Sequence, residues 1–189
     1  MNQVACSLCG PGTFSDVAGL SACKQCSQGF SSAGSGSIVC SACTPGTFTS
    51  VIGSPTCSPC PLGKFASSSG KSSCEDCSRG RSASSEGLAE CPACSPGFFA
   101  PSTGSSSCLA CSLGQFVSTS GSSTCQNCSL GTFSNLEDSI TCTPCSLRWF
   151  ASNSGLSSCS RCSVGSFADL TGPVRVHLVL LGVLLNSLV

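Results

Sequence analysis

The chain has 189 residues, of which 20 are Cys, 21 Gly and 10 Pro, and its eight basic residues balance eight acidic ones to a formal net charge of zero. With 8% of residues charged, no field of either sign exists to draw a nucleic acid, an anionic lipid surface or an acidic substrate, so recognition of that kind is set aside. The hydrophobic fraction of 40% overstates the packing material: Cys supplies 20 of those residues and Phe is the one recurrent large side chain, so an ordinary globular core would be thin.

Residues 1–5 carry neither a basic n-region nor an apolar h-region ahead of Cys6. Twenty oxidised thiols belong outside the reducing cytosol, so this opening reads as a truncated start and the chain as a fragment of a longer extracellular protein.

From Cys6 onward the chain keeps a 17-residue beat. The first cysteines of ten CxxC pairs are Cys6, Cys23, Cys40, Cys57, Cys74, Cys91, Cys108, Cys125, Cys142 and Cys159, and each has its partner three residues later, from Cys9 to Cys162. Three positions after each pair stands Gly, from Gly12 to Gly165, with Arg148 the exception. Where Pro precedes it, as in Pro11-Gly12, Pro45-Gly46 and Pro96-Gly97, the dipeptide suits a type II turn: Pro presets φ at the first central position and Gly supplies positive φ at the second.

Phe follows two places on, as Phe14, Phe48, Phe65, Phe99, Phe116, Phe133, Phe150 and Phe167, with Ser31 and Ser82 as gaps and Phe30 one place early. It is expected to lie on the neighbouring repeat's disulfide and exclude water there. A second Gly, from Gly19 to Gly172 with Asp138 the exception, marks the return turn. Ser, Gly and Pro recur too often for a three-turn helix, so short strands and turns are predicted over 6–172, each repeat touching chiefly its neighbours.

Four places depart from the pattern. Residues 75–91 gather Glu75, Asp76, Arg79, Arg81, Glu86 and Glu90 and lack the Phe, which reads as a solvated variant repeat before a ligand loop. Asn127-Cys128-Ser129 is an N-glycosylation sequon on an expected surface turn, with glycan addition set against the disulfide chemistry of Cys128. Trp149-Phe150 reads as compensation for the glycine missing at Arg148. From Pro173 the beat stops: Val176 and Val179 stand where cysteines are due, so 173–189 is an apolar tail and not a repeat. Its stretch from Leu178 to Val189 is shorter than the roughly 20 residues a membrane-spanning helix needs. An artefact of gene assembly is the first reading of the tail, membrane attachment through 178–189 or through missing parts the second. His177 has no acid, thiol or second His in register, so no catalytic or metal role is assigned to it.

The CxxC pairs admit three chemistries. A redox centre needs a helix N-terminus to lower the thiol pKa, and no helix is predicted. An intracellular zinc array is better founded, since CxxC-x13-CxxC comes near the spacing of four-cysteine sites. Against it, paired sites would make alternate intervals inequivalent, whereas all nine are equal. Disulfides remain.

Connectivity does not follow from sequence, but equal intervals favour one bond per interval. The bonds are then Cys9–Cys23, Cys26–Cys40, Cys43–Cys57, Cys60–Cys74, Cys77–Cys91, Cys94–Cys108, Cys111–Cys125, Cys128–Cys142 and Cys145–Cys159, leaving Cys6 and Cys162 unpaired in this fragment. A rival scheme joins first to first and second to second cysteines in 34-residue blocks and leaves none over.

The repeat CxxCxxGxFxxxxGxxxC resembles the ephrin type A/B receptor-like cysteine-rich repeat, found in ephrin-type receptor ectodomains and in protist and algal surface proteins. It is also similar to the first module of tumour necrosis factor receptor repeats, whose bond joins the cysteines chosen above. The resemblance covers residues 6–172 and implies a disulfide-bonded extracellular interaction or spacer region. No segment resembles a kinase Gly-rich loop, HRD or DFG.

The expected fold is small, disulfide-rich and mainly β or irregular, an elongated rod of ten hairpin repeats. The expected function is non-enzymatic: an extracellular or cell-surface spacer or adhesion module, with a signalling-receptor ectodomain and the zinc array as alternatives. No cofactor, metal or nucleic acid is expected, and the protein partner is not specified by the sequence.

Overall fold

The computed structural model describes residues 6–168, 176–180 and 183–187. Residues 1–5, Gly172 and the side chains of Phe167 and of the tail strands, His177 included, lie outside the described residues. Among those described, every regular element is a β-strand, most of them two residues long.

Each hairpin begins at the first glycine. In the turn Gly10-Pro11-Gly12-Thr13, Gly12 has φ 79° and the Thr13 amide donates to the Gly10 carbonyl at 3.1 Å, which is the expected type II geometry. The strand Thr13–Phe14 then pairs antiparallel with Lys24–Gln25, the two residues inside the next CxxC pair. The same register returns in Thr47–Phe48 with Ser58–Pro59 and in Lys64–Phe65 with Glu75–Asp76. Where Ser82 takes the Phe place, pairing shrinks to one bridge, Arg81 with Ala93.

The chain divides into two compact units. The first comprises Met1–Ser78, Ser82–Pro92 and Ser102–Ser107; the second comprises Arg79–Arg81, Ala93–Pro101 and Cys108–Val189.

In the first unit, repeats are stitched together by backbone hydrogen bonds that recur with the period. The Gly12 amide donates to the Ser32 carbonyl at 2.7 Å, and Gly29, Gly46 and Gly63 repeat this bond to Thr49, Ala66 and Ala83. A second set reaches further: the Gly53 amide donates to the Cys26 carbonyl at 2.7 Å, and the Gly70 amide to the Cys43 carbonyl at 2.8 Å. Both sets join adjacent repeats; the contact with the next repeat but one is the approach of Gly12 to Gly53, 41 residues on. Nearest-neighbour stacking, the expectation from periodicity, omits this longer contact, because a period reports that units are alike and not how many of them meet.

The longer contact is what the first glycine serves. A β-carbon on Gly12 would fall far inside van der Waals contact of the Gly53 carbonyl, and one on Gly46 would do the same to Gly87. Gly is thus required twice, once for its φ and once because another backbone occupies the space a side chain would need. At the second glycines the space is looser: a β-carbon on Gly53 would meet only the Gln25 side chain at 3.6 Å.

The core of the first unit is narrow. Cys26, Cys43, Cys60 and Cys77 are buried, and with them the small residues one place after the Phe position, Ser32, Thr49, Ala66 and Ala83. The Ser32 hydroxyl is satisfied at 2.7 Å by Ser37, so its burial carries no unpaired donor. Phe14, Phe48 and Phe65 are half-buried and roof this column without filling it.

The second unit repeats the scheme with Cys94, Cys111, Cys128 and Cys145 alongside Ala100, Val117, Ser134 and Ala151. Both exceptions to the glycine pattern lie here. Asp138 and Arg148 adopt φ 53° and 70°, the conformation glycine has elsewhere. Asp138 occupies a second-glycine place, where a side chain has room. Arg148 occupies a first-glycine place, but the residue 41 positions on, which would press on it, is Val189, beyond the last cysteine pair. Trp149 is 44% exposed, and Arg148 itself adopts the positive φ that glycine has elsewhere.

The tail continues the pairing. Val176–Leu180 lies antiparallel to Ser166–Ala168 with Phe167 opposite His177, the register that places Phe150 opposite Ser160 one period earlier. Val183–Ser187 then pairs with Val176–Leu180. Strand pairing needs no sulfur, so it runs past the boundary drawn at residue 173 from the cysteines. No helix among the described residues is long and apolar enough to cross a membrane.

Two stability predictions follow from these contacts. Gly53→Ala should cost about 1–2 kcal/mol for the left-handed backbone alone, and Gly46→Ala about 1–3 kcal/mol more because the Gly87 carbonyl must move; denaturant titration in non-reducing buffer measures both, and equal costs would contradict the close approach. Asp138→Gly and Arg148→Gly should each stabilise by about 0.5–1 kcal/mol in the same assay, from relief of backbone strain offset by unfolded-state entropy.

Candidate functional site

The chemistry of the chain is concentrated in its sulfur. Nine disulfides join the second cysteine of each pair to the first of the next, from Cys9–Cys23 to Cys145–Cys159, each with a sequence separation of 14 and Cα atoms 5.6–5.9 Å apart. This is the one-bond-per-interval scheme; the rival 34-residue blocks are not formed. Cys6 and Cys162 remain unpaired, Cys6 exposed and Cys162 half-buried. Eighteen of twenty thiols are thereby consumed, which removes the donors a zinc array would need. Among the described residues no group of three or more His, Cys, Asp or Glu is placed to hold a metal ion.

The hairpin explains why these sulfurs meet. Pairing of the strand after the turn with the two residues inside the next CxxC pair carries the chain back on itself, and the cysteine before the turn comes within bonding reach of the one that opens that pair. From Cys9 to Cys145 the second cysteine of each pair is buried, and the first, Cys91 excepted, is exposed or half-buried.

One bond is better shielded than the others. In Cys77–Cys91 both partners are buried, 0% and 3% exposed, and Phe65 and Leu88 pack against them beside Ala83. Phe65 thus does what was expected of the recurrent Phe. In the repeat where Ser31 takes the Phe place, its hydroxyl lies 3.3 Å from Cys57 Sγ. That sulfur is in a disulfide and has no proton, so the hydroxyl donates.

The remaining candidate residues are placed as follows. Glu75 pairs with Lys71 at 2.6 Å and Asp76 pairs with Lys64, all exposed, so these two acids of the 75–91 segment are engaged in surface ion pairs of small energetic weight. Asn127 is exposed on the strand Gln126–Asn127, and its Oδ1 accepts a hydrogen bond from Gln115 Nε2 at 3.0 Å. Leu147, Arg148, Arg161 and Cys162 line an open hollow of about 700 Å³ together with Val164, in the second unit. Lys24, hydrogen-bonded to Asp16, holds that carboxyl below its ordinary value of 3.8. A carboxyl lowered on folding adds stability above that value and loses it as pH falls through the lowered one; the pair is exposed, so the effect is local.

Sequence reasoning missed the small-residue column. Its signal was available: position 15 and every seventeenth residue after it reads Ser, Ser, Thr, Ala, Ala, Ala, Val, Ser, Ala, Ala.

Comparison with known proteins gives one finding. The family model described as tyrosine-protein kinase ephrin type A/B receptor-like matches five overlapping stretches, residues 1–39, 31–77, 50–87, 80–124 and 114–151. No curated protein matches the chain.

Shielding sets the order in which the ladder should open. Under limiting phosphine reductant followed by alkylation and peptide mapping, Cys9–Cys23, whose Cys23 is exposed, should be labelled early and Cys77–Cys91 last. Leu88→Ala should bring Cys77–Cys91 into line with its neighbours. Early labelling of Cys77 and Cys91 in the unaltered chain would refute the shielding.

Proposed function

The chain belongs to the ephrin type A/B receptor-like family, and on that premise we propose that it is a non-enzymatic extracellular or cell-surface spacer that sets the separation between the segments it joins. The observation that carries this reading is the ladder of nine like bonds, each closing a ring of the same size with a sequence separation of 14. Such bonds persist only in an oxidising compartment. A uniform period also makes length a matter of repeat number, which is the property a spacer uses.

A second reading, protein interaction, is favoured by one feature of the second unit. Leu113, Leu130, Leu147 and Val164 occupy the same turn position in four successive repeats and are 45–104% exposed. A recurring exposed apolar column of this kind is a common mark of a contact surface.

Two measurements test the spacer reading. Intact mass of the secreted chain should show the loss of two hydrogens for each of nine bonds, with no bound metal; stoichiometric zinc with alkylatable thiols would overturn it. Deleting residues 58–91, two whole periods, should leave seven bonds formed and shorten the distance between fluorescent probes at the two ends. An unchanged distance would remove the spacer role, and substitution of Leu113 and Leu130 by Ser with loss of cell adhesion would favour the second reading.

A further inference from the structure

The order of the bonds along the chain has a mechanical consequence. No ring overlaps another: Cys9–Cys23 closes before Cys26–Cys40 opens, and so on to Cys145–Cys159. Between successive rings the chain contributes only the three-residue step across a CxxC pair, as from Cys23 to Cys26. The shortest covalent path therefore runs through all nine disulfides in series, and the residues between the two cysteines of each bond hang beside it carrying no load.

We propose that the chain is a length-limited tether whose hidden length is released by thiol reductants. This rests on the spacer reading and adds to it a mechanical limit and a means of regulation. Each bond substitutes a Cα–Cα span of 5.6–5.9 Å for a 14-residue stretch that would reach about 49 Å fully extended. Pulling on the oxidised chain can undo every hairpin and still extend a period to only about 16 Å, against about 60 Å for the 17 residues when reduced. From Cys9 to Cys159 the limits are about 130 Å and about 520 Å, a fourfold difference. Hydrogen bonds alone could impose no such ceiling, because they break under load.

Release is ordinary thiol–disulfide exchange with a dithiol. One reductant thiolate attacks the rim sulfur of the first cysteine, and the buried second cysteine leaves as thiolate and takes a proton. The other reductant thiol then closes on the mixed disulfide and frees the first cysteine. The protein disulfide gains two electrons and two protons, and the dithiol loses the same to become a cyclic disulfide. The exposure pattern suits this direction of attack: Cys57, Cys74, Cys108 and Cys125 are half-buried, whereas Cys43, Cys60, Cys94 and Cys111 are buried. Load on the two residues inside each CxxC pair pulls them from the ring strand they pair with, which opens the hairpin that hides the inner sulfur.

Single-molecule pulling of the full chain between handles at its two ends tests the proposal. Without reductant, the Cys9–Cys159 segment should extend to no more than about 130 Å at high force. With dithiothreitol present under constant force, discrete steps of about 43 Å should appear, up to nine per molecule. The double variant Cys43→Ser, Cys57→Ser should show one such increment without reductant, and this contour length is read whether or not that repeat folds. Oxidised molecules lengthening well beyond the limit, or reductant adding no steps, would overturn the tether. The zero-force probe distance tests the spacer reading separately, so a chain that spaces without a covalent ceiling would pass that measurement and fail this one.

Discussion

The structure depends on the burial of one sulfur per repeat. From Cys26 to Cys128 the second cysteine of each pair is at once among the largest fully buried side chains and the anchor of a covalent ring. A ring of this size removes about 3 kcal/mol of chain entropy from the unfolded state, although rings sharing neighbours do not add simply. A chain whose other core residues are Ala, Ser, Thr and one Val has little else to set against conformational entropy. The sulfur serves as packing and as staple in the same place, and a Ser or Ala substitution removes both together.

The second constraint is backbone on backbone. From Gly12 to Gly114 the first glycine admits the carbonyl of the residue 41 positions on, as Gly12 admits Gly53. This explains the unbroken interval: one inserted residue would put a side chain where only a hydrogen fits and displace every hydrogen bond that recurs with the period. It also explains the two exceptions without special pleading. Asp138 stands at a second-glycine place, where a β-carbon has room, and Arg148 takes the left-handed φ of the glycine it replaces.

These constraints bear on function because they leave the surface free to vary. The residues inside each CxxC pair and those flanking the buried first glycines are largely exposed, and there the chain carries a Lys–Asp pair, a sequon and the leucine column.

The disulfide scaffold, the 17-residue period, the type II turns and the bond scheme were all legible in the order of residues, because each is local: Cys9 and Cys23 sit 14 apart and a Pro11-Gly12 turn lies between them. Even the departures at Ser31, Asp138 and Arg148 could be marked in advance. Their consequences could not, since whether a glycine is needed for its φ or for a neighbour's carbonyl depends on what lies against it. Gly12 and Gly53 look alike as letters, and one is the wedge site while the other is nearly open. The same holds for the buried column from Ser32 to Ala151, whose small side chains gave no hydrophobic signal, and for the tail, where strand pairing persists after the cysteines cease. Contacts between residues tens of positions apart arise from the stacking of completed hairpins, and no single repeat contains the information about what will be laid upon it.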